Sequence, residues 1–194
     1  TAIANQKNAS VTGSYFENLV NLLTGTNFAG NVTISDSYFA DEEVTLTKHA
    51  DSLINLNDNW WGSNAQPTFK ASNVDTHPET WLILTLNTTE DGNAILAFKS
   101  FDGENITDYD GEVYAREFAI DAVNATVDVK NGIIKNNVVI PLTAAADSLY
   151  INATVDGQQV NITRIVPDIS ASATPVYVGK DVVVEIISPD DLKD

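Results

Sequence analysis

Cysteine is absent from this chain, as is methionine, and its 194 residues hold only ten basic side chains and two histidines. Without cysteine, disulfides, thiolate nucleophiles and every cysteine-based zinc site drop out together. His49 and His77 fall in different segments, whereas a zinc site draws three or four protein ligands together. Both read as exposed turn or linker positions. Against the few bases stand 27 acidic residues, for a net charge of −17 and a pI near 4.1. Scattered Lys and Arg cannot neutralise a phosphate backbone, which excludes nucleic acid as a partner, and anionic membrane surfaces are disfavoured for the same reason. Such a charge keeps a chain soluble and suits divalent cations or basic partners. No apolar run approaches the ~20 residues of a membrane span; the longest β-rich stretch, 182–187, is interrupted by Glu185. No Gly-x-Ser-x-Gly elbow appears. No signal peptide is visible and the sequence starts at Thr1, so the chain is expected to be a processed or excised piece whose export signal and anchor lie outside it.

What is present is a rhythm. Aromatic pairs recur as Ser14-Tyr15-Phe16, Ser37-Tyr38-Phe39 and Asn59-Trp60-Trp61, in steps of 23 and then 22 residues. Each is preceded three places earlier by an apolar residue, Val11, Ile34 and Leu56. A fixed period in the low twenties marks stacked repeats, in which one unit cannot bury its apolar face alone. The leucine-rich consensus is missing; Asn31-Val32-Thr33-Ile34-Ser35 and Glu43-Val44-Thr45-Leu46-Thr47 read instead as short alternating strands. Residues 1–66 are therefore expected to be the last two or three coils of a right-handed parallel β-helix. Val11, Ile34 and Leu56 should stack in register, one coil (about 4.8 Å) apart.

After Trp61 the character changes. Residues 67–80 form a turn-rich linker, and from Trp81 the step of 22–23 disappears. Asp91-Gly92, Asp102-Gly103, Asp110-Gly111, Asn131-Gly132 and Asp156-Gly157 punctuate the chain with the positive φ angles of tight hairpins. Two hairpins are clearest, one turning at Asn131-Gly132 and one at Asp156-Gly157. About seven strands across 81–166 match an immunoglobulin-like β-sandwich. The fold class expected is all-β. Residues 167–194, with Val178-Gly179-Lys180-Asp181-Val182-Val183-Val184, read as the start of a further Ig-like domain or as a tail strand for donation.

The segment Asn57-Asp58-Asn59-Trp60-Trp61-Gly62-Ser63-Asn64, followed by Trp81-Leu82-Ile83-Leu84-Thr85-Leu86-Asn87, resembles the closing coil of adhesin-like surface proteins of methanogenic archaea. In that family a long β-helix ends in an Asn-x-Asn-Trp-Trp-Gly motif and leads into bacterial-type Ig-like domains. The resemblance implies an extracellular, cell-surface archaeal glycoprotein whose partners are other surface proteins or cell-wall glycans. Bottom-up, Trp60 and Trp61 are bulky enough to cap the open end of a β-helix, and Gly62 permits the exit. The other reading is a pair of rings that stacks on sugars.

Few residues offer chemistry. Asp36, Asp41, Glu42 and Glu43 are the acidic group inside the coils, with Lys48 as the nearest base, while Arg116 and Arg164, the two arginines, are expected far away in the sandwich. That is a poor match to the clustered carboxylates and bases of β-helix lyases, so no enzyme activity is expected and no cofactor is required. Asp102, Glu104, Asp108, Asp110 and Glu112 place five carboxylates in a short span and are the candidate Ca²⁺ ligands. They lack the remaining positions of an EF-hand loop, and acidic turns between strands, common in acidic proteins, are the reading preferred over a calcium site. Asn-x-Ser/Thr occurs at Asn8, Asn31, Asn87, Asn105, Asn124, Asn152 and Asn161, either as glycosylation acceptors or as Asn and Thr favoured at turns and strand faces.

Three functions stay open at this point: a non-catalytic surface scaffold or adhesion module, a carbohydrate-active β-helix protein, and a filament subunit built by strand addition. The exposed first coil and the strand at 182–187 are expected to seek pairing, through head-to-tail stacking of copies or through strand addition.

Overall fold

Short strands that return to the same place every 19–24 residues dominate the first third of the chain. The computed structural model describes residues 2–5, 8–17, 20–24, 30–40, 44–47, 51–68, 78–89, 92–145 and 148–165. His49, His77, Asp41, Glu42, Glu43, Lys48, much of the linker and all of 167–194 lie outside the described residues.

The early strands are β1 (Ala2–Asn5), β2 (Ala9–Thr12), β3 (Tyr15–Phe16), β4 (Val20–Thr24), β5 (Val32–Ser35), β6 (Tyr38–Phe39), β7 (Val44–Thr47) and β8 (Ile54–Asn55). They form three parallel sheets, β1-β4-β7, β2-β5-β8 and β3-β6, the last extended by a bridge from Tyr38 to Trp60. The described chain thus makes three stacked turns, each contributing one strand or bridge to each sheet. Val11 pairs with Ile34, Tyr15 with Tyr38 and Phe16 with Phe39. The interior between the sheets is filled by Phe16, Val32, Ile34, Phe39, Ile54 and Leu56, with Val11 and Trp61 packed against them. The aromatic pairs divide: Phe16, Phe39 and Trp61 stack as one column, with ring centroids 4.6 and 4.2 Å apart. Tyr15 and Tyr38 form a second column at 5.4 Å.

From Trp81 every pairing is antiparallel. The strands are β9 (Trp81–Thr88), β10 (Ala94–Phe101), β11 (Ile106–Asp108), β12 (Arg116–Val123), β13 (Ala125–Val127), β14 (Asn131–Ile134), β15 (Asn137–Ile140), β16 (Leu142–Ala144), β17 (Ser148–Val155) and β18 (Gln158–Ile165). One sheet centres on β10, which pairs β9 along its whole length and, on its other edge, β15 through Ala94–Ala97 and β11 through Lys99–Phe101. The second runs β14-β12-β17-β18, and β13 pairs β16 separately. Buried and outward residues alternate along β12 and β17, as a sheet with one wet face requires. Leu82, Leu84, Leu96 and Phe98 of the first sheet meet Ile120, Ile151, Ala153 and Val155 of the second in one core, which Trp60 and Tyr38 also join.

Ten strands occupy the region expected to hold about seven, because β13, β14, β15 and β16 are short pieces separated by bends. The hairpin expected to turn at Asn131-Gly132 is corrected. Both residues lie inside β14, opposite Ala119 and Phe118 of β12, and the Phe118 ring rests where a side chain at Gly132 would stand. Here glycine serves close approach rather than a turn. The turn at Asp156-Gly157 is present, with φ of 51° and 85°.

Candidate functional site: the seam between turns and sheets

The residues that carry interactions over the longest sequence separations gather where the stacked turns meet the sheets. Their placement begins with a column of left-handed backbone. Gly13, Asp36 and Asp58 occupy equivalent corners of the three turns, with φ of 58°, 55° and 55°. Asp tolerates this region better than most residues because its short side chain bonds locally. Asp36 N–H donates to Asp58 O at 3.0 Å and Asp58 N–H to Thr80 O at 3.2 Å, so the column continues into the chain that starts β9.

Both carboxylates then face the sheets. Asp36 Oδ1 accepts from the Tyr109 hydroxyl at 2.6 Å, and Asp36 O accepts from Tyr114 N–H at 2.9 Å. Asp58 Oδ1 accepts from Ser100 Oγ at 2.6 Å and from Thr80 Oγ1 at 3.0 Å. Gly111 makes the first contact feasible, since a Cβ there would overlap both Asp36 Oδ1 and the Tyr109 hydroxyl. Burial, reinforced by the bond to Asp36, raises the Tyr109 pKa far above its ordinary value, so this phenol remains a donor.

A second set surrounds Asp156 at the tip of the β17–β18 hairpin. Its carboxylate accepts from Trp60 Nε1 at 2.8 Å and from Arg116 through both Nε and Nη2. The Arg116 guanidinium also lies over the Tyr38 ring, 3.9 Å from its centroid, an arrangement that adds cation–π attraction to a forked ion pair. The hydrogen bond to Asp156 holds the Arg116 pKa above its usual value. Burial, then the Asp156 charge, pushes the Tyr38 phenol up.

Trp60 is fully buried, tilted against Phe98 at 5.1 Å. Trp61 stays with the turns, on Phe39. Gly62, with φ of 76°, makes the exit. The expected cap is thus a joint: the end of the stack that Trp60 closes is covered by the sheets, not by solvent. Leu82 N–H donates to Asn59 O at 3.0 Å, and Glu79 N–H to Asn57 Oδ1 at 2.9 Å. Asn59 is itself fully buried. Its Oδ1 accepts from Ser37 N–H at 3.0 Å, and its Nδ2 donates to the carbonyls of Ile34, Leu56 and Asn57. Asn64 grips the edge of β9, accepting from Leu84 N–H at 2.7 Å and donating to Leu84 O at 2.8 Å.

The five carboxylates considered for Ca²⁺ do not converge. Asp102 receives the N–H groups of Glu104 and Asn105, which lowers its pKa. Asp108 pairs with Lys99 at 2.5 Å and Glu112 with Lys135 at 3.2 Å. Asp110 is exposed. Among the described residues no three His, Asp or Glu side chains gather as a metal site. An acidic run in a hairpin sequence spreads along separate strands and is met locally by turn amides and lysines. The sequon residues Asn8, Asn31, Asn87, Asn105, Asn124 and Asn161 are exposed, while Asn152 is half-buried on β17 opposite Asn161.

Sequence placed Asp36 in the acidic group of the coils and Arg116 far away in the sandwich; Arg116 instead reaches the coils, over the Tyr38 ring, and Asp58, Tyr109 and Asp156 were not singled out as a site. The one available signal was the recurrence of Gly13, Asp36 and Asp58 one residue before each Ser or Asn of the aromatic repeat. Chemically the seam is an interlocked set of charge-assisted bonds that fixes orientation. Comparison with protein families, with curated proteins and with solved structures returns no match.

Proposed function

We propose that this chain is a non-catalytic scaffold of a cell-surface protein, in which the end of a right-handed parallel β-helix is joined rigidly to an Ig-like β-sandwich. One observation carries the reading. Trp60 belongs to the last turn of the stack, is buried in the core of the sheets, and bonds Asp156 across 96 residues of sequence. A tether between independent units needs no such shared core, since interfaces between mobile domains are typically polar and modest. A rod that projects a binding surface at a fixed angle does need one. The location outside the cell, the archaeal source, glycosylation at the sequons, and partners among surface proteins or wall glycans follow from the resemblance of the Trp-Trp-Gly segment to adhesin-like proteins.

The test has two arms. Asp156→Asn keeps the shape but loses the charge facing Arg116; breaking a buried pair costs about 3 kcal/mol. If the units are coupled, amide exchange in β5 and in β17 accelerates together. Acceleration confined to β17 overturns the rigid joint. Labelling intact source cells with a membrane-impermeant reagent addresses location separately, and a chain reached only after lysis overturns the surface reading.

A further inference from the structure

Strand β10 changes partners along one edge. β15 pairs with it as far as Ala97, opposite Asn137, and β11 takes over at Lys99, opposite Asp108. Between β11 and β15 the chain visits the other sheet through β12 and β14, and a cleft of about 370 Å³ opens at the changeover. That volume falls within the range of ligand sites, about 300–1,000 Å³. Its walls are pinned. Asn136 O accepts from Phe98 N–H at 2.8 Å, and Asn136 Nδ2 donates to the carbonyls of Tyr109 and Gly111 at 2.8 and 2.7 Å. Tyr109 is anchored in turn to Asp36 of the stacked turns. The cleft therefore holds its shape before anything enters it.

The lining combines apolar surface, from Ile95 and Ala97, with an excess of acceptors. Lys99 and Asp108 pair at 2.5 Å, so the one cation in the lining is already matched. Asp110 is exposed and has no ion-pair partner among the described residues. Asn137 donates its Nδ2 to Asn136 Oδ1 at 2.8 Å, which leaves its own side-chain oxygen as an acceptor. Charge thus disfavours an anion. Two carboxylates beside an ammonium are too few for calcium, which takes about six to eight oxygens. A sugar would find no exposed aromatic face, since Phe98 and Tyr109 are buried. What fits is an organic cation on an aliphatic stem. A guanidinium forks onto carboxylates, and its stem lies readily along apolar surface.

We propose that this cleft receives an arginine side chain of a basic partner protein, its stem against Ile95 and Ala97 and its guanidinium on Asp110 and the remaining oxygen of Asp108. Lys99 already shows Asp108 satisfying an alkylammonium at this place. The net charge of −17 draws a basic partner and repels a second copy of the chain. Because Asn136 and Tyr109 tie the cleft to the seam, the captured partner is held in a fixed orientation to the stacked turns. The inference rests on the cleft and stands apart from the cell-surface reading.

The experiment titrates the full chain with the blocked tripeptide acetyl-Gly-Arg-Gly-amide, followed by amide NMR shifts. A second peptide carries citrulline in place of arginine, which keeps the shape and removes the charge. The arginine peptide should shift the amides of Ile95, Asp110 and Asn137 with a Kd of about 1 mM, and the citrulline peptide should bind about tenfold more weakly. Asp110→Asn should weaken arginine binding about fivefold, the scale of one exposed ion pair. Asp121→Asn, which removes an exposed carboxylate from the other sheet, should leave binding unaltered. Absence of shifts at the cleft amides at about 10 mM peptide overturns the site. Equal weakening by Asp121→Asn, or equal binding of the citrulline peptide, overturns it as well, since neither is selective for a cation in the cleft. Stronger shifts of the same amides by calcium chloride at equal ionic strength overturn the choice of occupant.

Discussion

The stacked turns and the antiparallel sheets solve the same problem with different means. In the sheets, the strands β9, β10, β12, β17 and β18 are each eight residues long, so backbone ladders do most of the pairing and buried faces stay apolar. In the turns, β3, β6 and β8 have two residues each, and side chains extend the ladders across the corners. Asn8, Asn31, Ser37, Ser52 and Asn59 each accept a backbone N–H from the neighbouring turn. The buried polar side chains among the described residues are Ser37, Ser52 and Asn59, all within the turns. Short strands therefore demand polar groups inside, and a buried polar group is tolerated only when bonded. The last turn closes against the sheets, whose core buries Trp60, so the turns depend on the sheets at that end.

Trp60→Ala puts the greatest strain on that dependence. Loss of a fully buried Trp costs about 3–5 kcal/mol, and exchange protection should fall in turns and sheets alike. Protection that survives in β5 would show the turns to be self-sufficient. Asn59→Ala sharpens the contrast, because it orphans buried backbone groups only in the turns. About 3 kcal/mol is expected, from several groups at about 1–3 kcal/mol each, and β17 and β18 should keep their protection. Tyr109→Phe deletes a single hydroxyl bonded to the Asp36 carboxylate, for about 1.5 kcal/mol in urea unfolding.

Acid provides the mildest probe. Asp102 and Asp108 have lowered pKa values, the first from the backbone N–H of Asn105, the second from the Lys99 hydrogen bond. A depressed carboxylate stabilises the fold above its unfolded pKa and loses that contribution as pH falls through the folded one. Replacing both with Asn should lower the urea midpoint slightly at neutral pH, and the difference should shrink below about pH 4. Both groups are fully exposed, so a large neutral-pH effect would contradict their solvent screening.

The repeat was legible in the sequence because stacking forces like residues to recur. Val11 on Ile34 and Tyr38 on Trp60 follow from the period alone. The seam was not legible. Tyr109 meets Asp36 across 73 residues and Trp60 meets Asp156 across 96, and no periodicity links one architecture to the other. Trp60 was read as a plug because size alone cannot say whether a buried ring faces solvent-excluding sheets or an open end. Asn131-Gly132 misled for a related reason. Glycine answers both to a positive φ and to a neighbour's bulk, and only the position of Phe118 tells which applies.

Asn64 has a consequence for how this protein ages. Its amide meets the N–H and the C=O of Leu84 at once, standing in for a neighbouring strand on the edge of β9. Hydrolytic deamidation to aspartate would keep the acceptor and replace the donor with a second oxygen. A carboxylate oxygen would then face the Leu84 carbonyl, two acceptors with no proton between them. The guarded edge would come ajar without any change in length, mass beyond one unit or overall sequence pattern. The lifetime of this closure is thus set by the chemistry of a single side-chain amide, independent of how tightly the surrounding core is packed.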